Sequence, residues 1–486
     1  MSLRARLPWE STQLFLPRRS TMRGEFNIMK PDQFPPRGSG VAGRLETSPA
    51  QIWGHPWQLG ASWDWKAGNI LLGHWEGRKL GRADDRHMVT IAGTRAGKSS
   101  TVLIPNLLRY PGSVLVLDPK GEMALATAAQ RQRMGQRVYV FDPFKVTGIK
   151  TANYNPFAEI AATSRTHVSA DVAQVADAMI VNNASDPHWT DSGKNLIRGL
   201  TLHLMASSSV PPTMRVIRRT INSTTVELEK LFTAMAGSAA FDGIVANTGA
   251  AFLGKLETGP RELQSILSTV QEQTASFDDV AHVMETSDLK LTDLGGGGVT
   301  IYLVLPGMRM GTHYRWLRLM VQLALGAMER APVPREKLPV WFVLEEFPTL
   351  GHMKVIETAA GLMAGYGVKL WAVLQDLTQI KTHYQRSWET FIGNAGVLQA
   401  FGNSDATTCE HLSKMLGMTQ VMERQEVRVT SSAMAHGDTG RRENLRSARL
   451  LDANEITTWF ARETGRQLVL VAGRPPIYMQ RLSIGG

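Results

Sequence analysis

Short apolar runs bounded by turn residues recur along most of this chain: His87–Ala92, Ser113–Leu117, Arg137–Phe141, Val299–Leu305, Val340–Leu344, Val368–Leu374, Gly396–Phe401 and Gln467–Val471. Most are continuous instead of alternating, as in strands buried on both faces of a parallel sheet covered by helices. Helical stretches lie between several of them, which predicts an α/β fold. From Ser164 to Val283 the spacing is helical, as in Leu196–Met205, Ser223–Met235 and Arg261–Ser276, and no convincing strand interrupts it. This stretch reads as an all-α insertion, after which Gly295–Gly298 turns the chain back into a strand. The first fifty or so residues are punctuated by Pro, Gly and Arg and read as loop, with Met22 and Met29 as alternative starts. The tryptophans at 53, 57, 63, 65 and 75 form either a packed cap on a domain edge or a base-stacking platform. The stretch from Met422 to Arg446, rich in charge and small residues, reads as a flexible linker.

Composition adds little to this pattern. Apolar residues make up 43% and charged residues 20% of the 486, an ordinary globular balance. The net charge of +10 favours anionic partners such as nucleic acid, nucleotide phosphates or an anionic membrane face. A single cysteine, Cys409, excludes an intrachain disulfide and a cysteine zinc site, which fits a reducing cytoplasm. No apolar run is long enough to read as a membrane span.

The chemistry concentrates in Ala92-Gly93-Thr94-Arg95-Ala96-Gly97-Lys98-Ser99, which has P-loop spacing with Ala in place of the first Gly. A strand precedes it and an amphipathic helix follows over Ser99–Arg109, so backbone N–H groups from Ala92 through Ser100 would surround phosphates. Lys98 would neutralise β/γ oxygens and Ser99 would ligate Mg²⁺, so the expected nucleotide is ATP with Mg²⁺. A P-loop needs acids at the end of a neighbouring strand, and Glu345 and Glu346 close the run from Leu338. The first would hold the Mg²⁺ water shell and the second would polarise the attacking water. Two more strand ends are polar: Asp118 would sit near the Mg²⁺ or cap a turn, and Gln375 would sense the γ-phosphate or cap a helix. No His-Glu-x-x-His and no Asn-Lys-x-Asp occurs, which argues against a zinc peptidase and a GTPase. The acid strand lies 246 residues beyond the P-loop serine, room for an inserted domain. The expected organisation is an extension over 1–60, a first nucleotide-binding part over 61–163, the all-α insertion over 164–285 and the second nucleotide-binding part over 286–486.

Several blocks together resemble the type IV coupling protein family, the TraG/TraD class. They are Asp118-Pro119-Lys120-Gly121-Glu122, Tyr154-Asn155-Pro156-Phe157, Leu344-Glu345-Glu346-Phe347-Pro348-Thr349-Leu350-Gly351, Gln375-Asp376-Leu377-Thr378-Gln379 and Gly473-Arg474-Pro475-Pro476, in family order across roughly 68 to 482. The resemblance implies a RecA-like nucleotide-binding domain with an all-α insertion and a ring, usually a homo-hexamer. It implies single- or double-stranded DNA and relaxase-type cargo, with type IV secretion channel components as partners. The chain departs from the family in three ways. It shows no transmembrane helices, which predicts a cytoplasmic protein held at the inner membrane only through a partner. Its acid pair is Glu345-Glu346 where the family has Asp-Glu. Ala364 stands where the family has an arginine finger acting across the ring interface, so either Arg386 or Arg309 substitutes or hydrolysis is slow. Two further functions compete with the coupling protein: a nucleotide-binding adaptor of the same fold with little hydrolysis, and a DNA translocase of another mobile-element process.

Overall fold

The computed structural model describes residues 53–54, 59–182, 187–426 and 441–482. Two compact units emerge, one spanning Ile52–Gly417 and Leu450–Gly486, the other containing Met418–Arg449.

The larger unit is built on an 11-stranded sheet. Its strands are β1 (Ile70–Trp75), β2 (Arg78–Arg82), β3 (Met88–Ala92), β4 (Val114–Asp118), β5 (Arg137–Phe141), β6 (Val299–Val304), β7 (Val340–Leu344), β8 (Val368–Leu374) and β9 (Val397–Phe401). The smaller unit holds β10 (Met418–Glu426) and β11 (Arg441–Arg449), and β12 (Arg466–Val471) and β13 (Ile477–Gln480) complete the large sheet. The order across the large sheet is β2-β1-β13-β12-β9-β3-β8-β7-β4-β6-β5. From β9 to β5 all pairings are parallel. From β12 outward to β2 they are antiparallel.

Every residue of β3, β4, β6, β7, β8 and β9 is buried, which explains their continuous apolar sequences. Alternate residues serve different cores: Val89 and Ile91 of β3 belong to one apolar cluster, Met88 and Ala92 to the other. The first cluster packs Trp316, Leu317 and Met320 of the helix Met310–Arg330 against Ile301 and Leu303 of β6. The second packs Leu103, Leu107 and Met123 against Val116 and Trp341. Each such side chain, fully buried, stabilises the fold by ~1.5–3 kcal/mol.

Between β5 and β6 the described chain is helical from Pro156–Ala161 to Asp293–Gly296, with no strand. These helices share the first cluster with the sheet, through Leu196, Phe252 and Ile266, so the insertion is continuous with the sheet's core. Gly297 (φ +84°) and Gly298 (φ +72°) then take left-handed conformations that lead into β6.

Three features differ from the sequence reading. The apolar pattern does not predict β1, β2 and β13; they are short, contain Gly73 and Gly81 or follow Pro475-Pro476, and belong to the antiparallel flank. Of the stretch from Met422 to Arg446, read as a linker, the described ends 422–426 and 441–446 belong to the antiparallel pair β10–β11, in register from Met418↔Arg449 to Glu426↔Arg441, and 427–440 lie outside the described residues. Backbone pairing needs no apolar side chains, so a polar ladder carries no period-2 signal. Among the tryptophans, Trp63 is buried, and Trp53 and Trp75 meet Tyr478 edge-on at 5.4 and 5.6 Å. Trp57 and the proposed N-terminal extension up to residue 52 lie outside the described residues. Among the described residues no helix is long and apolar enough to cross a membrane.

Candidate nucleotide site at the carboxyl edge of the sheet

β3 ends at Ala92, and the P-loop follows at the carboxyl edge of the parallel strands. The loop is tightly wound. Arg95 (φ +56°) and Gly97 (φ +92°) are left-handed, and the helix opens with a π-turn over Ser99–Leu103 before Ile104–Leu107. A Cβ on Gly93 would lie 2.1 Å from the Gly402 carbonyl oxygen, and one on Gly402 (φ +62°) would lie 2.5 Å from the Ala96 Cβ. Glycine is therefore required on both sides of the contact between the P-loop and the end of β9.

Lys98 is buried and donates to the carbonyls of Ala92 (3.0 Å) and Gly93 (3.5 Å). Burial lowers its pKa, opposed by Glu346 and Glu345. Its ammonium stands 4.0 Å from the Glu346 carboxylate.

β7 delivers the acids. Ser99 Oγ donates to Glu345 Oε1 at 2.8 Å, joining the P-loop serine to the first acid. Burial pushes the Glu345 carboxyl up to about 7, with the Ser99 hydrogen bond opposing and Asp118 and Glu346 adding to the rise. Glu346 follows at φ +55°, ψ +40°, a left-handed turn that costs a non-glycine residue ~1–3 kcal/mol. Arg318, reaching up from the helix Met310–Arg330, donates to the carbonyls of Leu350 (2.6 Å) and His352 (2.7 Å) and fixes the loop that follows.

Gln375, at the end of β8, donates through Nε2 to both oxygens of Glu346 at 2.8 Å and accepts from Thr94 Oγ1 at 3.0 Å. It joins the second acid to the P-loop. The capping alternative falls to its neighbour Asp376, which accepts from Thr378 N and Gln379 N. The two oxygens of Asp118 have different surroundings. One accepts from Ala124 N at 2.8 Å at the start of the helix Glu122–Arg133, while Oδ1 is buried without a partner. Burial raises its pKa to about 6, against backbone hydrogen bonds.

The structure thus brings together Lys98, Ser99, Glu345, Glu346, Gln375 and Thr94, with Asp118 near enough to Glu345 to raise its pKa. The two candidate substitute arginines are both exposed. Arg309 stacks on Phe144 at 4.3 Å beyond β6, and Arg386 is exposed on the turn Gln385–Ser387. Ala364 lines a cavity with Arg86 and His87. Sequence reasoning missed Arg481 and Gly402. Arg481 donates to the Ala96 and Arg462 carbonyls and lies over the Phe401 ring at 4.7 Å. It belongs to no motif; for Gly402 the only signal is a glycine directly after a strand.

No group of His, Cys, Asp or Glu able to hold a metal by itself occurs among the described residues. The site does offer one hydroxyl, a carboxyl bonded to it and an orphaned buried carboxylate oxygen. That set fits Mg²⁺, which binds through one or two protein ligands, waters and substrate phosphates.

The fold and site define a RecA-like P-loop nucleotide-binding protein. A family model described as "Type IV secretory system Conjugative DNA transfer" matches residues 31–483, and the chain belongs to that family. The conjugal transfer protein TraG of Escherichia coli is 25% identical over 445 residues, covering 84% of this chain and 69% of that protein. Protein VirD4 of Agrobacterium fabrum is 26% identical over 426 residues, covering 84% and 60%. Among solved structures, the conjugative coupling protein TrwBdeltaN70 in complex with sulphate has a TM-score of 0.67 at 17% identity, covering 91% of this chain and 97% of that one. TrwB in complex with ADP and Mg²⁺ has a TM-score of 0.65 at 16% identity, with the same coverage.

Proposed function

We propose that this protein binds ATP with Mg²⁺ and hydrolyses it to move DNA, or a relaxase-linked cargo, into a type IV secretion channel. The observation that carries the reading is the closed circuit Ser99–Glu345 and Thr94–Gln375–Glu346 around Lys98. Lys98 donates to loop carbonyls, and with nucleotide bound its ammonium would turn to the β/γ oxygens. Glu346 accepts a proton from water as the water attacks the γ-phosphorus and the bond to the β-phosphate breaks. Gln375 keeps that carboxylate oriented. Ser99 and Glu345 would hold Mg²⁺, with Asp118 on its water shell, and the ion would supply positive charge against the phosphates. The reading includes a homo-hexameric ring, contact with secretion-channel components, and a cytoplasmic position reaching the inner membrane through partners, as the family resemblance implies.

A second reading, a nucleotide-binding adaptor that hydrolyses little, is favoured by the raised Glu345 carboxyl, whose proton competes with the metal near neutral pH. Steady-state ATP turnover with and without single-stranded DNA, beside Lys98→Ala, decides between them. DNA-stimulated turnover lost in the variant supports the motor. Nucleotide binding without turnover leaves the adaptor.

A further inference from the structure

Beyond the nucleotide site, the same edge of the sheet carries three adjacent loops that the chemistry above does not use. They follow β4, β5 and β6, which are neighbours in the sheet. The geometry points to a nucleic-acid grip formed by these loops, in which Lys120, Lys145, Lys150 and Arg309 hold the phosphate backbone and Met308 presents an apolar tip. This inference rests on the proposed function and gives a location to the DNA contact assumed there.

The loops are built to hold a shape. Asp142 accepts from Val146 N (3.0 Å), Thr147 N (2.7 Å) and Thr147 Oγ1 (2.8 Å), pinning the loop after β5. Lys145 there sits at φ +56°, an unfavourable conformation for lysine, and is exposed. Gly121 lies against Thr147 so closely that a Cβ would fall 2.5 Å from its methyl, which locks the first loop to the second. Arg309 lies over the Phe144 ring at 4.3 Å, which joins the third loop to the second. Met308 is 97% exposed at the tip of that third loop, the most exposed large apolar residue described.

The charge is one-sided. Lys120, Lys145, Lys150 and Arg309 are all exposed. Of the nearby acids, Asp142 is buried and spent on its own loop, and Asp279 is hydrogen-bonded to His313 at 3.0 Å. Glu122 makes a contact with Lys120 of 3.9 Å between exposed groups, which is worth little. Exposed cations on a fixed frame suit a phosphate polymer, and an exposed methionine can insert against unstacked bases. Lys120 lies two residues beyond Asp118, so the first loop starts beside the nucleotide site.

The test is fluorescence anisotropy of a fluorescein-labelled single-stranded oligonucleotide titrated with the full chain over a range of salt. Lys145→Asn keeps a residue that tolerates the left-handed backbone while removing the charge; it is combined with Arg309→Gln. The expected result is a salt slope shallower by about 1.4 and affinity lower by roughly twenty-fold at 0.1 M salt, from two lost phosphate contacts. Arg309→Lys should restore one contact, and Met308→Ser should weaken binding without changing the slope. Unchanged DNA binding in the double variant overturns the proposal. So does loss of binding to anionic phosphatidylserine vesicles with DNA binding intact, which assigns the loops to a membrane surface. Basal turnover and nucleotide binding are measured without DNA in the same preparations. A chain that never hydrolyses ATP sinks the motor reading and leaves the DNA result standing.

Discussion

Gln375 grips Glu346 with one amide nitrogen on both carboxylate oxygens, each at 2.8 Å, while its carbonyl oxygen takes the Thr94 hydroxyl. The second acid is therefore aimed by β8 as much as by its own strand. The same three groups would report to one another when a γ-phosphate arrives between the P-loop and the acid.

Removing the acid tests its role directly. Glu346→Gln should reduce ATP turnover by ~10²–10⁴-fold, the usual contribution of a positioned general base, while nucleotide affinity holds. Gln375→Ala should lower turnover less, with its effect falling on kcat and not KM. Titration with a fluorescent nucleotide beside a coupled turnover assay separates the two parameters.

The acids predict a pH dependence. Glu345 is raised from 4.5 to about 7 and Asp118 from 3.8 to about 6. Between those values the folded state keeps protons that the unfolded chain has released, so stability must fall as pH rises through this window. The apo protein's thermal midpoint should therefore drop between pH 4.5 and 7, and Glu345→Gln should flatten that drop. ATP turnover should move the other way, rising toward pH 7 as Glu345 loses the proton that competes with Mg²⁺. A midpoint that rises across the window in the wild type contradicts this assignment.

Glycine at 402 is required twice, by its φ of +62° and by the 2.5 Å approach of Ala96. Gly402→Ala should cost ~1–3 kcal/mol of stability in denaturant unfolding. It should also weaken nucleotide binding, because the displaced neighbour is part of the P-loop. Gly135 also has a positive φ, but a methyl added there would meet nothing within 4 Å, so Gly135→Ala serves as the control for backbone strain alone.

Arg481 braces the outer side of the P-loop. Arg481→Met keeps much of the apolar stem but leaves the Ala96 and Arg462 carbonyls without their donor. A loss of ~1–3 kcal/mol is expected for buried groups left unsatisfied, together with a raised KM for ATP at little cost in kcat. Equal loss of kcat and kcat/KM would place Arg481 in the chemical step and refute the bracing role.

The parallel half of the sheet was legible because its strands are buried on both faces, so their sequences carry nearly uninterrupted Val, Ile and Leu. The P-loop was legible because phosphate binding by backbone N–H groups needs small residues at fixed spacing followed by a helix. Glu345, Glu346, Gln375 and Asp118 could be picked out because parallel strands deliver polar residues at their carboxyl ends. β1, β2 and β13 of the antiparallel flank and the polar β10–β11 ladder were not legible, since short or polar strands leave no apolar run. Sequence also left Asp118 and Gln375 undecided between ligand and cap. Tertiary structure alone decided how the acids divide, with Ser99 reaching Glu345 across 246 residues and Gln375 claiming Glu346 through a left-handed turn. It alone set Gly402 against the P-loop and Arg481 behind it. Such pairings depend on which strands become neighbours, and neighbours in a crossover-connected sheet are fixed by packing of the whole chain, not by local pattern.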